Sequence, residues 1–164
     1  MTYRCMLVMT VFLFTASAAD EADIAGAIAA VIDDFHDAAA HGDKQRYLDH
    51  LTEDAVFQGT DEWERWPKNP DFTDYVDSRF ENGRGWSYRP VERSIRLEES
   101  AGVAWFDEVI FSERNGRFRG TGVLVRRDGK WKIAHYAMSF LVFNENWEDV
   151  IELTKKTAAE KAAN

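Results

Sequence analysis

From Trp86 onward the sequence drops the three-to-four-residue spacing of its first half and alternates apolar with polar residues, and this change of period constrains the fold more than any other feature. Candidate strands fall at 86–98, 102–113, 117–127 and 131–143. Two of the breaks between them read "RNGR" and "RDGK", each centred on a dipeptide suited to the positive φ angles of a two-residue hairpin turn. Such turns set a register in which Ser112 lies opposite Arg119 and Gly122 opposite His135. One face of the sheet then carries Trp105, Asp107, Val109, Phe111, Phe118, Leu124, Trp131, Ile133, His135 and Ser139. The other carries Phe106, Glu108, Ile110, Arg119, Thr121, Val123, Val125, Tyr136, Met138 and Phe140. Both faces are mostly apolar, so both need a cover. Helices from the first half of the chain suffice for one, and a second copy of the chain is expected on the other, making a homodimer.

The first half supplies those helices. "DEADIAGAIAAVIDDFHDAAAHGD" places Ile24, Ile28, Val31, Ile32, Phe35 and Ala39 at helical spacing, with Asp33 and Asp37 opposite and Gly42 as the stop. "DKQRYLDHL" reads as a short second helix capped by Asp43, and "AVFQG" as a short strand. In "FQGTDEWERW", Asp61 suits the cap of a single helical turn, with Glu64 returning the bond and Pro67 ending it. Asn69 and Pro70 are placed as cap and first residue of a third helix bearing Phe72, Tyr75, Val76, Arg79 and Phe80, which the glycines of "ENGRGW" terminate. "NWEDVIELTKKTAAEKAAN" closes the chain as a helix, apolar first and polar at its frayed end. Helices followed by an antiparallel meander make an α+β fold, a cone with the helices packed over one side of a curved sheet.

Residues 1–19 stand apart from this domain. "MTYR" is a short basic start, "CMLVMTVFLFTA" an apolar run too short to span a bilayer, and "ASAA" a small-residue exit, the pattern of a secretory signal. The expected organisation is a signal at 1–19, a domain at 20–145 and a C-terminal helix with a polar tail at 146–164, in a secreted or periplasmic protein without membrane attachment after cleavage. Cys5 leaves with the signal, so the mature chain has no thiol for disulfides or thiolate chemistry. A net charge of −9 with no basic patch argues against nucleic acid as a partner. The cations of "VERSIR" and "VRR" sit in alternating sequence and are read as facing water.

The segments "FHDAAAHGDKQRYLDHLTEDAVFQGTDEWERW", "VAWFDE" and "RGTGVLVRRDGKWKIAHYAMS" resemble a SnoaL-like domain of the nuclear transport factor 2 superfamily, over nearly all of residues 22–144. The resemblance implies the cone fold and a cavity at its open end. It does not imply one activity, because the superfamily hosts isomerases, cyclases, dehydratases, hydrolases and non-catalytic binders. Against the pattern of ketosteroid isomerase, whose oxyanion hole pairs a tyrosine with a protonated Asp beside a separate Asp base, this chain has Phe35, Gly59 and Thr121. That machinery is missing.

Two constellations remain as candidates. Asp107 and His135 share the tryptophan-bearing face across Gly122 and form a carboxylate–imidazole pair suited to proton transfer in a dry cavity. On the opposite face, Glu108 and Tyr136 accompany Arg119, whose guanidinium suits a ligand carboxylate. His36 lies about 100° from the middle of the first helix's stripe, within reach of a cavity mouth. Trp63 or Trp66, with Trp86, is expected to form an aromatic wall with Arg65 at its rim, the other reading being that Trp66 anchors the core and Trp63 packs as a lid. No cofactor motif and no metal-ligand spacing is present. The function expected is binding of a small, partly aromatic or apolar molecule, the alternative being a cofactor-independent isomerase, lyase or hydrolase. N-terminal sequencing of the protein made in a Gram-negative host is expected to begin near Ala19 or Asp20, and a full-length cytoplasmic chain retaining Met1 would refute the signal.

Overall fold

The computed structural model describes residues 18–81 and 85–163. Residues 1–17 of the expected signal segment at 1–19, and Asn82–Arg84 of the "ENGRGW" break, lie outside these residues. Helix α1 (Ala18–His41) buries Ile28, Ile32, Phe35 and Ala39 along one stripe and stops at Gly42, whose φ is +65°. Helix α2 (Lys44–Asp49) is capped as its sequence predicts, with the Arg46 backbone N–H donating to Asp43 Oδ1 at 3.2 Å. It turns Tyr47 inward to stack on Phe35 at a ring separation of 4.3 Å.

Strand β1 (Leu51–Gln58) begins four residues earlier than "AVFQG" suggests. The segment after it makes a single hydrogen-bonded turn, Glu64 N–H to Asp61 O at 3.0 Å, and Glu64 returns the bond as its spacing predicts, accepting at Oε2 from the backbone N–H groups of Asp61 and Thr60 at 3.0 and 2.7 Å. Strand β2 (Arg65–Pro67) then returns antiparallel to β1, setting Trp66 opposite Phe57. Asn69 does not cap the next helix. It precedes a proline, which disfavours helical backbone, and it sits at φ −116° and ψ 128°. Helix α3 (Thr73–Phe80) follows, burying Val76 and Phe80.

Strands β3 (Arg89–Glu98), β4 (Val103–Ser112), β5 (Gly116–Arg127) and β6 (Lys130–Phe140) complete one curved sheet in the order β2–β1–β6–β5–β4–β3. All neighbours are antiparallel except β1 and β6. Helix α4 (Trp147–Ala162) ends the chain and remains helical through the polar part expected to fray.

Both predicted registers need correction. Ser112 pairs with Gly116, not Arg119, because Glu113, Arg114 and Asn115 form a three-residue loop closed by Asn115 N–H to Ser112 O at 3.2 Å, with Gly116 at φ +83°. That is the longer hairpin loop in which a turn is followed by one left-handed residue. At the second hairpin Arg127 pairs with Lys130 as the two-residue turn requires, and Asp128 and Gly129 both take positive φ. A bulge then intervenes: Leu124 pairs with Ile133 but Val123 with His135, so Gly122 faces Tyr136 instead of His135. Both errors are odd in residue number, so they cancel between β4 and the upper part of β6 and invert β5. The inner face carries Phe106, Glu108 and Ile110 with Phe118, Gly120 and Gly122, and Tyr136, Met138 and Phe140 beyond them. The outer face carries Trp105, Asp107 and Phe111, Arg117, Arg119 and Thr121, and His135, Ala137 and Ser139.

Gly122 permits the inner face to close, because a Cβ there would lie 2.6 Å from both the His135 carbonyl oxygen and the Phe106 ring. Gly122→Ala is expected to destabilise the protein by about 1–3 kcal/mol through overpacking. Gly26→Ala, on an exposed turn of α1 with nothing within 4 Å, is expected to raise stability by about 0.5–1 kcal/mol. Thermal melts of the two variants check both signs.

Candidate functional site

At the middle of β4, Glu108 points into the protein and is 1% exposed. Gly120 beside it on β5 leaves the room: a Cβ there would lie 3.0 Å from the carboxylate oxygen Oε1 and closer still to the Tyr136 hydroxyl. Oε1 accepts from His36 Nε2–H at 2.7 Å and from the Tyr136 hydroxyl at 3.0 Å. Oε2 accepts from Arg93 Nε–H at 2.9 Å, with Arg93 Nη2 at 2.8 Å. Arg93 is the cross-strand partner of Glu108, and its Nη1 reaches back to α1, donating to Asp33 Oδ1 at 2.8 Å and the Ala29 carbonyl at 3.3 Å. Ala29, Asp33 and His36 follow one another at helical spacing, so one face of α1 meets the ion cluster.

Burial pushes the Glu108 carboxyl up, but His36 and then Arg93 outweigh it and hold the group below the usual carboxylate range. Arg93 is raised: burial opposes its charge, while Glu108 and Asp33 more than compensate. Burial, aided by the neighbouring Glu108 charge, pushes the Tyr136 hydroxyl well above its ordinary value, so it stays a donor. A carboxylate offers about four acceptor directions. Three hydrogen bonds occupy three of them, and Arg93 Nη2, which has no hydrogen-bond partner of its own, lies 2.8 Å from Oε2.

Above this cluster, toward the open end of the cone, lies a cavity of about 160 Å³. Its buried wall is aromatic, made by Phe57, Trp66 and Phe118, and half-buried Tyr75, Trp86, Tyr88 and Met138 extend it. Gly59, Thr60, Glu64, Arg79, Asn115 and Phe140 complete the lining, and Thr60, Arg79, Asn115 and Phe140 are its exposed members. The rings stack on one another: Trp66 on Tyr75 at 4.5 Å and Phe57 on Phe72 at 4.4 Å. None of His36, Arg93, Glu108 and Tyr136 lines the cavity. Phe57 stacks on Tyr136 at 5.4 Å and Tyr88 meets His36 edge-on at 6.3 Å, so one aromatic layer lies between the cluster and the cavity.

Of the residues selected from sequence, Glu108, Tyr136 and His36 converge in the cluster, and Trp86 lines the cavity. Trp66 lines it as well and anchors the core, while Trp63 is 63% exposed and packs edge-on against Trp66 at 5.7 Å. Arg65 is exposed on β2, away from the lining. Asp107, Arg119 and His135 are on the outer face, where Asp107 pairs across to Thr121 and His135 to Val123. Arg93 took the place expected of Arg119 and was passed over as a solvent-facing cation. Its signal is parity, since Arg93, Ile95 and Leu97 alternate together toward the side where Glu108 needs a countercharge. Asp33, expected on a solvated helix face, is the second anion on Arg93.

A larger open groove of about 660 Å³ runs between α1, α2 and the β5–β6 turn. Its charged groups are committed to each other: His50 Nε2–H donates to Asp34 Oδ2 at 2.7 Å, and Arg46 pairs with Asp34 and Asp37. Among the described residues no group of three His, Cys, Asp or Glu side chains is placed to hold a metal ion, and no helix is long and apolar enough to cross a membrane.

Breaking the cluster leaves Arg93 buried without its main anion, so Glu108→Gln is expected to destabilise the protein by about 3–5 kcal/mol at neutral pH. A carboxyl held below its unfolded value contributes stability above that unfolded value, and this contribution is lost as pH falls through the folded value. Urea unfolding between pH 7 and pH 3 is therefore expected to show the gap between wild type and Glu108→Gln closing as the solution becomes acidic. A gap that stays constant would mean Glu108 is not ionised in the folded state.

Comparison with proteins of known structure places this architecture. A cystatin-like domain of unknown function from Nostoc punctiforme matches with a TM-score of 0.65 at 16% identity, covering 90% of this chain and 97% of that one. An NTF2-like protein of unknown function from Pseudomonas putida matches with a TM-score of 0.61 at 14% identity over 79% and 92% of the two chains. A candidate scytalone dehydratase from Novosphingobium aromaticivorans matches with a TM-score of 0.62 at 12% identity over 74% and 87%. At these identities the likeness is one of fold. No curated protein matches the sequence. The SnoaL-like domain model matches residues 28–143, which takes in α1 from Ile28, the whole sheet and the ion cluster, and the chain belongs to the SnoaL-like domain family.

Proposed function

We propose that this domain is an exported binding protein for a small molecule built around one aromatic or similarly flat apolar ring. The observation that carries the reading is the make-up of the cavity: it presents buried aromatic rings, Glu108 and its partners His36 and Arg93 do not line it, and the carboxylate that does, Glu64, accepts from two backbone N–H groups. A general base must lie within hydrogen-bond reach of the substrate proton, and Glu108, 1% exposed, does not line the cavity. Apolar walls with a few polar groups at the mouth are the usual make-up of a ligand site. The cavity, at about 160 Å³, is of the size that holds benzene when engineered into another protein, about 150 Å³. The basic start, apolar run and small-residue exit of the sequence support the exported part of the reading.

Native mass spectrometry of the exported protein is expected to show a co-purifying molecule of single-ring size. Tryptophan fluorescence titrated with single-ring aromatic compounds is expected to report binding through Trp66 and Trp86. Met138→Trp, which fills the cavity, should weaken that binding by at least about tenfold, the effect of losing roughly 1.4 kcal/mol. Asp107→Asn and His135→Gln should leave it unchanged, being on the outer face. Turnover that disappears in either of those two variants would replace binding with catalysis and move the site to the outer face.

A further inference from the structure

The aromatic cavity carries polar groups that its own protein leaves unused. The hydroxyls of Thr60, Tyr75 and Tyr88 and the side-chain amide of Asn115 make no hydrogen bond among the described residues. Each of these groups can donate. Burial pushes both tyrosine hydroxyls up, so they keep their protons at neutral pH. Arg79 is the one cation in the lining. It makes no ion pair among the described residues, in a chain with 29 acidic side chains against 20 basic ones.

Its position follows from the helix that carries it. Arg79 comes one turn after Tyr75 on α3, and its guanidinium lies 5.9 Å from the centre of the Tyr75 ring. Tyr75 is itself stacked on Trp66 at 4.5 Å and on Trp86 at 6.0 Å. The cation thus belongs to the same stack that walls the cavity. Glu64 is the one acid of the lining, and its Oε2 is already met by the backbone N–H groups of Thr60 and Asp61. The charge of Glu64 is partly answered within the protein, and that of Arg79 is not.

A guanidinium fork takes a carboxylate by two parallel N–H···O bonds. A carboxylate conjugated to a ring lies close to the ring plane, so an arylcarboxylate stays flat, whereas a phosphate or sulfonate is tetrahedral and needs room on both sides of that plane. We propose that the molecule held in the cavity is a single-ring aromatic carboxylate, its ring against Trp66, Tyr75 and Trp86 and its carboxylate paired with Arg79, an inference that rests on the cavity being a site for a single-ring ligand. Arg79 then sets specificity. Ring burial gives affinity for any flat aromatic compound, and the guanidinium selects the acid among them. Thr60 and Asn115, exposed at the same mouth, are neutral donors for the lone pairs that the fork leaves free.

Calorimetric titration of the purified protein with benzoate, benzamide and benzylamine tests the assignment, because the three share a ring and differ in charge. Benzoate is expected to bind at least about tenfold more tightly than benzamide, the scale of one charge-assisted pair. Arg79→Gln alters an exposed side chain, so the fold is retained, as thermal melting will verify, and it should erase the difference between benzoate and benzamide. Arg79→Lys keeps the charge without the fork and should retain part of that difference. Equal binding of benzoate and benzamide by wild type, or an Arg79→Gln protein that still prefers benzoate, would overturn the carboxylate and leave the ring site standing. Tighter binding of benzylamine would overturn it in favour of a cation held by Glu64. If none of the three binds, the single-ring site itself fails and the proposal falls with it.

Discussion

The ionised Glu108 carboxylate, enclosed at the centre of the sheet, is the constraint on which the remaining architecture depends. A buried charge left unpaired costs several kcal/mol, and its partners come from three other elements: His36 on α1, Arg93 on β3 and Tyr136 on β6. Satisfying them fixes the crossing of α1 over the sheet, because Ala29, Asp33 and His36 must all face the Arg93–Glu108 pair. It also requires a glycine at position 120, where any side chain would collide with the carboxylate. Once this end of the cone is clamped, the aromatic residues of β1, β2 and α3 have only its open end to fill, and they leave a gap there that serves as the cavity.

The elements were legible because their signals are local. Helical spacing marked α1 and α3, the Asp43 cap marked α2, and alternation marked β3 to β6 within a few residues. Register was less legible because it depends on turn length and bulges, which few sequence signals specify. "RDGK" forms the two-residue turn that its Asp-Gly implies, whereas "RNGR" uses its glycine one position later, as the left-handed residue closing a three-residue loop. The bulge opposite Val123 and Leu124 leaves no mark in the sequence. A one-residue slip moves every side chain of a strand to the other face, so Arg119 and Thr121 were placed on the face of Glu108, and Phe118 was separated from Phe106 and Ile110, which it joins in the structure.

The candidate site was legible where a residue broke its context. A lone glutamate alternating with Phe106 and Ile110 stands out in any register, and so does a histidine at the margin of an apolar helix stripe. Arg93 did not stand out, since arginines at alternate positions of an edge strand normally face water; only its pairing with Glu108 across β3 and β4 reveals its role. Trp66 and Trp63 show the same limit. Two identical side chains three residues apart differ in burial because β2 pairs with β1 and turns Trp66 onto Phe57, leaving Trp63 in the preceding turn.

Arg93 also decides the charge state of Glu108. A carboxyl buried alone in this position would have its proton affinity raised by desolvation, the condition under which buried acids work as proton donors or acceptors near neutral pH. Here the guanidinium and the imidazole reverse that effect, so the acid holds the fold together as a carboxylate. What remains at the open end is shape, aromatic surface and a polar mouth. Glu64, the one carboxylate in the cavity lining, is itself engaged by the Thr60 and Asp61 backbone donors. The cavity thus presents shape and aromatic surface from Trp66, Tyr75, Trp86 and Phe118, with one oxygen of Glu64 held by its own backbone.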